Sequence, residues 1–444
     1  MFYYYHLHYK RLRIADIVTG RKGLLARLKN SLLISRDFGI LVVALMVVSL
    51  GFGLLAPIIP DLARKLGISD GEMGGIFALF AVAYVLAMPP SGYLTDRLGR
   101  KAMLISGIAV FGCTTLLLAF ITDAFQFAVL RSLEGVGAAM TAPSAFALVI
   151  DLVPEEKRAT AMGVEGTAQV LGVLGGPAVG GFVAGEINFY YPFYVGAALA
   201  FVCCIIVYLV KEPAVKVTQE HPSLLTMFGA WKRNVEQNRK LVALTVRGLV
   251  MGIVQGLWNL GLILFWYDRI GMTYTEVGIA ISIGTAVMAS GTIYFGTLAD
   301  KHGKIPFILA GGALMASGLG FMALAESTVH VYLLMIVMDL GAAMSNPSVG
   351  ALLADVMLKE ERGRVMGAYQ TVQGVGNIIG FTALGVAYEA ISPEAPILMC
   401  AVALAVATLI IAVFVRDRRP AGSGPNESEG AKVAAVTRMS DNER

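Results

Sequence analysis

Two ionisable residues three positions apart, Arg131 and Glu134, sit inside an otherwise apolar run, FQFAVLRSLEGVGAAM. On a helix this spacing puts them on one face. The carboxyl can then gain and lose a proton while the guanidinium tunes it, or the two can form a permanent ion pair. Asp339 lies in a similar run without a sequence-local partner and is a second position where a proton could reside. Ionisable groups in such surroundings are costly unless paired or wetted, so each is a candidate for function. Glu165 and Arg247 fall nearer the ends of their runs, where capping or anchoring competes with a functional role. Other chemistries find no support. Cys113, Cys203, Cys204 and Cys400 have neither paired nor metal-ligand spacing, and no His cluster, nucleophile motif or nucleotide-binding P-loop is present.

The elements that must position these groups follow from composition. The 444 residues are 57% hydrophobic and only 15% charged, against roughly 25% charged in soluble domains. That is the composition of a polytopic membrane protein and gives no case for nucleic acid. Apolar windows long enough to cross a bilayer fall near 38–60, 73–95, 101–121, 125–151, 160–185, 190–210, 241–267, 275–299, 305–325, 330–354, 365–387 and 394–416. They predict an all-α protein of twelve transmembrane helices. Five regions result: a basic segment 1–37, a six-helix bundle 38–210, a polar linker 211–240, a second bundle 241–416 and a disordered tail 417–444. Lys and Arg concentrate before the first window, in alternate loops, in the linker and in the tail, so both termini are expected in the cytoplasm. The first segment is read as a positive-inside anchor, with an interfacial amphipathic helix as the alternative.

The densest charge lies in GYLTDRLGRK, positions 92–101, and a looser copy, GTLADKHGKI, begins at Gly296. Adding 204 maps Gly92, Asp96 and Gly99 onto Gly296, Asp300 and Gly303, and Asp151 onto Asp355. The register continues to Gly172 and Gly376, so the halves are duplicates. Both copies of each loop fall on one side, which relates the halves by an axis along the membrane normal. That arrangement is used by transporters, with a substrate site between the bundles. In the loop, Gly92 and Gly99 permit a tight turn, and Asp96 can accept hydrogen bonds at a neighbouring helix N-terminus. Arg97, Arg100 and Lys101 supply the bases, and a plain positive-inside turn is the alternative reading. Gly172, Gly176 and Gly180 recur every fourth residue beside Pro177, giving a helix face that can pack backbone to backbone. Gln255 and Asn259 share a face on the seventh window. Gln373, between Gln370 and Asn377 on the eleventh, together with Asn346, Tyr84 and Gln169, adds polar groups for a cavity.

These residues resemble the major facilitator superfamily over about 38–416. GYLTDRLGRK is similar to that family's motif between its second and third helices. Gly163, Gly172, Gly176, Pro177, Gly180 and Gly181 match the fifth-helix pattern of its drug:proton antiporters at every position. LGFGLLAPIIP and RSLEGVGAA resemble two further motifs of the same exporters, except that Glu134 stands where glutamine is usual. The resemblance implies that Asp96 meets the eleventh helix. It also implies that Arg100 pairs with Asp151 to brace the outward-facing state, repeated more weakly by Asp300, Lys304 and Asp355, and that the fifth helix lies between the bundles. It ranks Gln255, Asn259 and Asn346 first as cavity residues.

The expectation is a non-enzymatic secondary transporter of the cytoplasmic membrane. It exports amphipathic or hydrophobic small molecules in exchange for protons, without cofactor or metal, and functions as a monomer in contact with lipid. Uptake of a small organic anion through Arg131, by symport or facilitation, is the alternative. A polytopic enzyme or a sensor is more remote.

Overall fold

The computed structural model describes residues 35–212, 224–238, 240–358 and 361–415. The expectations for the basic N-terminal segment and the tail therefore fall almost wholly outside the described residues. The first half contains α1 (Arg36–Leu55), a short α2 (Ile59–Lys65), α3 (Asp70–Leu98), α4 (Arg100–Leu118), α5 (Ala124–Asp151), α6 (Arg158–Phe182) and α7 (Tyr191–Tyr208). A helix in the linker, α8 (Leu224–Gln237), precedes the second half: α9 (Lys240–Gly256), α10 (Tyr274–His302), α11 (Lys304–Met322), α12 (Thr328–Val356), α13 (Arg362–Ala390) and α14 (Ala395–Phe414). A π turn at Val183–Ile187 extends α6, and π turns at Leu257–Gly261 and Trp266–Ile270 carry the α9 span to Ile270.

Eleven helices among the described residues are long and apolar enough to cross a membrane. The twelfth, α13, has 29 residues, about 43 Å at 1.5 Å per residue, but places Gln370, Gln373 and Asn377 along its length. The first window departs from expectation. It breaks at residues 56–58, because Pro57 has no N–H to continue the ladder and Pro60 starts α2 where an N–H is not needed. The linker also holds more than polar chain. Its helix α8 buries Ala230 and Asn234, with Trp231 Nε1 donating to Thr245 Oγ1 of α9 and Asn234 Nδ2 donating to Glu361 Oε2.

Within the first half α1 packs on α6 and α7, α3 on α5, and α4 on α5 and α7. The second half repeats the pattern, with α9 on α13 and α14, α10 on α12, and α11 on α12 and α14. The halves meet along two seams, α3 with α13 and α6 with α10, which the repeat interchanges. Each half has a loop end, carrying Gly99 and Gly303, and an opposite far end, carrying Gly67 and Gly271.

The glycines explain how the helices approach. A Cβ at Gly172 would lie 2.3 Å from Met46 O, one at Gly176 2.6 Å from Gly53 Cα, and one at Gly180 2.0 Å from Leu54 O. The face of α6 predicted from four-residue spacing is thus pressed onto α1 backbone to backbone. Gly163 has nothing within 4 Å and takes no part. Gly180→Leu is expected to destabilise the protein by about 1–3 kcal/mol or more through overpacking, while Gly163→Ala leaves stability unchanged. Thermal unfolding in detergent distinguishes them, and equal midpoints would dismiss the glycine seam as a source of stability.

Candidate functional site

At the loop end, Gly99 and Gly303 hold φ of 96° and 97°, a left-handed turn that ends α3 and α10 and starts α4 and α11 at once. The turn brings Arg100 onto Asp151 as an ion pair, with Arg100 Nη1 also 3.4 Å from Ala147 O. The second copy does the same. Lys304 pairs with Asp355 and lies 3.2 Å from Ala351 O. Both ion pairs lie within one half. Asp96 is partly buried, Asp300 is exposed, and Arg97 and Lys101 lie over the rings of Tyr93 and Tyr208. Sequence reasoning missed Glu212. Its carboxylate accepts from Arg100 N at 2.6 Å and Lys101 N at 3.3 Å, capping α4, whose N-terminus has no cap of its own. A lone Glu after the sixth window carries no signal for a contact more than a hundred residues away.

At membrane depth, Arg131 and Glu134 do meet. Glu134 is 1% exposed, its Oε2 pairs with Arg131, and its Oε1 has no partner. The Arg131 guanidinium lies 4.8 Å from the Phe77 ring centroid and 4.9 Å from that of Phe80, both on α3. Asp339 is 5% exposed with Oδ2 unpartnered. It occupies the space left by Gly284 of α10, where a Cβ would lie 2.2 Å from that oxygen. Glu165 is partly buried and hydrogen-bonded to Gln169. Arg247 departs from the expected anchor. It is fully buried, with Nη2 donating to Ser345 Oγ and Nε unpartnered. Both α12 and α13 pack on α9, bringing Ser345 to its guanidinium and the Tyr369 ring over the neighbouring Gly248.

Of the cavity candidates, Gln255 and Asn259 on α9 and Asn346 on α12 are exposed, as are Gln169 and Gln370, while Tyr84, Gln373 and Asn377 are partly buried. Among the described residues no hydrogen bond joins one of them to another.

The far end holds a site the sequence did not announce. Arg64 of α2 donates to Asp70 of its own half at 2.9 and 3.1 Å. It also grips Asp268 of the other half, Nη1 to Oδ1 at 2.5 Å and Nη2 to Oδ2 at 2.7 Å. Although burial opposes its charge, the hydrogen bonds and charges of Asp268 and then Asp70 hold the Arg64 pKa above the ordinary arginine value. Tyr388 donates to Asp268 at 2.5 Å, Tyr274 to Asp61 at 2.6 Å, Tyr267 to the Pro57 carbonyl, and Gly71 N to Glu389 at 2.7 Å. Beneath this network the two seams close at glycines. A Cβ at Gly74 would lie 2.3 Å from Phe381 O, and one at Gly278 2.1 Å from Pro177 O. Gly385 likewise faces Asp70 O and Gly181 faces Tyr274 O. Each of these contacts is the other's copy at the repeat offset of 204. The far ends of the halves are thus locked together, whereas Tyr93, Leu94 and Leu98 on α3 and Ile293 and Tyr294 on α10 remain exposed toward the loop end.

The profile of the Major Facilitator Superfamily matches residues 41–262 and 248–441. The chain is 27% identical over 363 residues to multidrug resistance protein 2 of Bacillus subtilis, covering 79% of this chain and 88% of that protein. It is 25% identical over 381 residues to the quinolone resistance protein NorA of Staphylococcus aureus, covering 84% and 95%. Its fold is similar to a bacterial homologue of the lysosomal transporter Spinster, solved inward-facing and unoccupied. That TM-score is 0.69 at 16% identity, over 87% of this chain and 99% of the other.

Arg131, partly buried, and Arg247, fully buried, differ in partner, which sets different costs for losing them. Arg131→Met strands the Glu134 carboxylate and is expected to lower stability by about 3–5 kcal/mol, whereas Arg247→Met removes a charge that pairs with no carboxylate among the described residues and costs less than about 1 kcal/mol. Chemical or thermal unfolding in detergent at pH 7.5 compares them. A larger loss for Arg247→Met would reverse the assignment.

Proposed function

The chain belongs to the Major Facilitator Superfamily, a family of multi-pass membrane transporters, and on that premise we propose that it is a proton-coupled exporter of amphipathic or hydrophobic small molecules. The two multidrug and quinolone resistance relatives support export over uptake. The match of Gly163, Gly172, Gly176, Pro177, Gly180 and Gly181 to the antiporter helix supports it as well. The transport cycle is a rocking of the two halves about the α3–α13 and α6–α10 seams. Basic residues around the loop end support a cytoplasmic loop end, with both termini inside. On that orientation the locked far end faces outward and the molecule is inward-facing.

The observation that carries the coupling is Glu134. It is a buried carboxyl with one oxygen on Arg131 and one without a partner, in a helix that packs directly on α3. Opening the cavity wets this group and closing it dries it, so its proton can be taken from one side and released to the other. Asp339 is the counterpart in the second half, where Gly284 leaves it room. Polar groups exposed within spans, Gln255, Asn259 and Asn346, are better placed against a water-filled cavity than against lipid, with Gln373 and Tyr84 at its edge. These form the proposed substrate surface, in contact with the apolar body of the substrate through neighbouring side chains.

At the loop end, Asp96 and Asp300 with their basic neighbours make the proposed gate, and Arg100–Asp151 and Lys304–Asp355 brace it inside each half. Both braces are present with the far end shut, so they stiffen a half rather than mark one state. Loop-end closure then needs contacts between halves, which Asp96 supplies toward α13.

Glu134→Gln tests the coupling in proteoliposomes with an imposed pH gradient and ethidium as the probe. Gradient-driven ethidium transport is expected to fall at least about tenfold, equivalent to about 1.4 kcal/mol, while ethidium exchange without a gradient persists. Unchanged pH-dependent transport would remove Glu134 from the coupling. Accumulation of an organic anion with inward protons, without ethidium efflux, would favour the uptake alternative.

A further inference from the structure

Arg64 and Asp268 are separated by 204 residues, the offset that relates the two halves. The register holds around them. Gly67 and Gly271 have φ of 73° and 72°, and the capping boxes Ser69/Glu72 and Thr273/Glu276 are copies of one another. Arg64 and Asp268 are therefore equivalent positions of the repeat. Two positions related by a two-fold axis can touch only if they flank that axis. The Arg64–Asp268 contact thus lies on the pseudo-two-fold axis, at the centre of the far mouth, where a path between the halves would emerge.

Each member also has a second partner in its own half. Arg64 is bound to Asp70 through Nε at 3.1 Å and Nη2 at 2.9 Å, and Asp268 receives the Tyr388 hydroxyl at 2.5 Å. Separation of the halves breaks the Arg64–Asp268 bonds but leaves neither charge without a hydrogen-bonded neighbour. An unpaired, partly desolvated charge is expensive, so Asp70 and Tyr388, by keeping each charge partnered, lower the cost of opening rather than add to the strength of closure.

We propose that Arg64 and Asp268 form an axial plug of the far mouth, and that Asp70 and Tyr388 are the fall-back partners that allow the plug to part. The inference rests on the rocking of the halves proposed above and assigns these residues as positioning groups of that motion. Substrate leaving through the far end passes between the Arg64/Asp70 pair on one side and the Asp268/Tyr388 pair on the other.

The structure assigns opposite effects to neighbouring residues of one network, which simple loss of structure would not give. Asp268→Asn breaks the bond between halves and shifts the population toward a far-open state. Asp70→Asn and Tyr388→Phe remove the fall-back partners. Arg64 and Asp268 then depend more on each other, and the population shifts toward the far-closed state.

Spin labels at Thr122→Cys and Glu326→Cys, exposed repeat-equivalent sites on far-end loops of opposite halves, report the separation. They are placed in the full chain with Cys113, Cys203, Cys204 and Cys400 replaced by alanine and reconstituted in nanodiscs. The open-to-closed ratio is expected to rise about tenfold for Asp268→Asn and to fall about threefold or more for each of the other two, the scale of losing one charge-assisted or one neutral hydrogen bond. Shifts of all three in one direction, or no shift, with two populations present would overturn the plug while leaving the rocking intact. A single separation in every variant would overturn both.

Discussion

Close backbone contact at glycine is the constraint on which the rest of this structure depends. Between membrane helices there is no hydrophobic drive, so helices hold together by how near their backbones can come. Here Gly172, Gly176 and Gly180 fix α6 on α1, and Gly74, Gly385, Gly278 and Gly181 fix one half on the other at the far end. The first set lies within a half and the second between halves. Because the second set is confined to the far-end portions of α3, α6, α10 and α13, the same four helices can be tightly joined at one end and leave side chains exposed at the other.

Charge is distributed to suit that division. The loop-end ion pairs, Arg100–Asp151 and Lys304–Asp355, stay within their halves, as does Arg131–Glu134. Bonds between halves are gathered at the far end, in Arg64–Asp268, Tyr274–Asp61 and Gly71–Glu389. A rigid half that carries its own ion pairs can move as a unit, and only the contacts between halves have to be exchanged. Glu134 and Asp339 are placed differently again. Each is buried in its own half with an oxygen that no described neighbour satisfies, the placement on which the proposed coupling rests.

Much of the candidate site was legible in the linear chain for a specific reason. Arg131 and Glu134, three residues apart on one helix, had to share a face, and the glycines of α6 had to line up. The resemblance implied the match of Asp151 to Arg100, and the duplicated loop displayed the same pair twice. Arg247 was misplaced because depth along a helix says nothing about what covers it, and Ser345 and Tyr369 meet it from elsewhere in the chain. Glu212 was missed for a similar reason, since its partners are backbone N–H groups that no sequence pattern advertises.

The sequence by itself determined the membrane-spanning helices, their duplication at an offset of 204 and the small-residue faces, because these depend on composition and on periodicity along one helix. It also held the signal for the far-end site. Gly67 and Gly271, and Ser69/Glu72 and Thr273/Glu276, continue the repeat upstream of the loop motif, although the chain reads there as ordinary turns. Only the tertiary structure decided which equivalent positions touch. Whether Arg64 meets Asp268 depends on where the axis between the halves runs and on which end is closed, and that is a property of the packed seams rather than of either half alone.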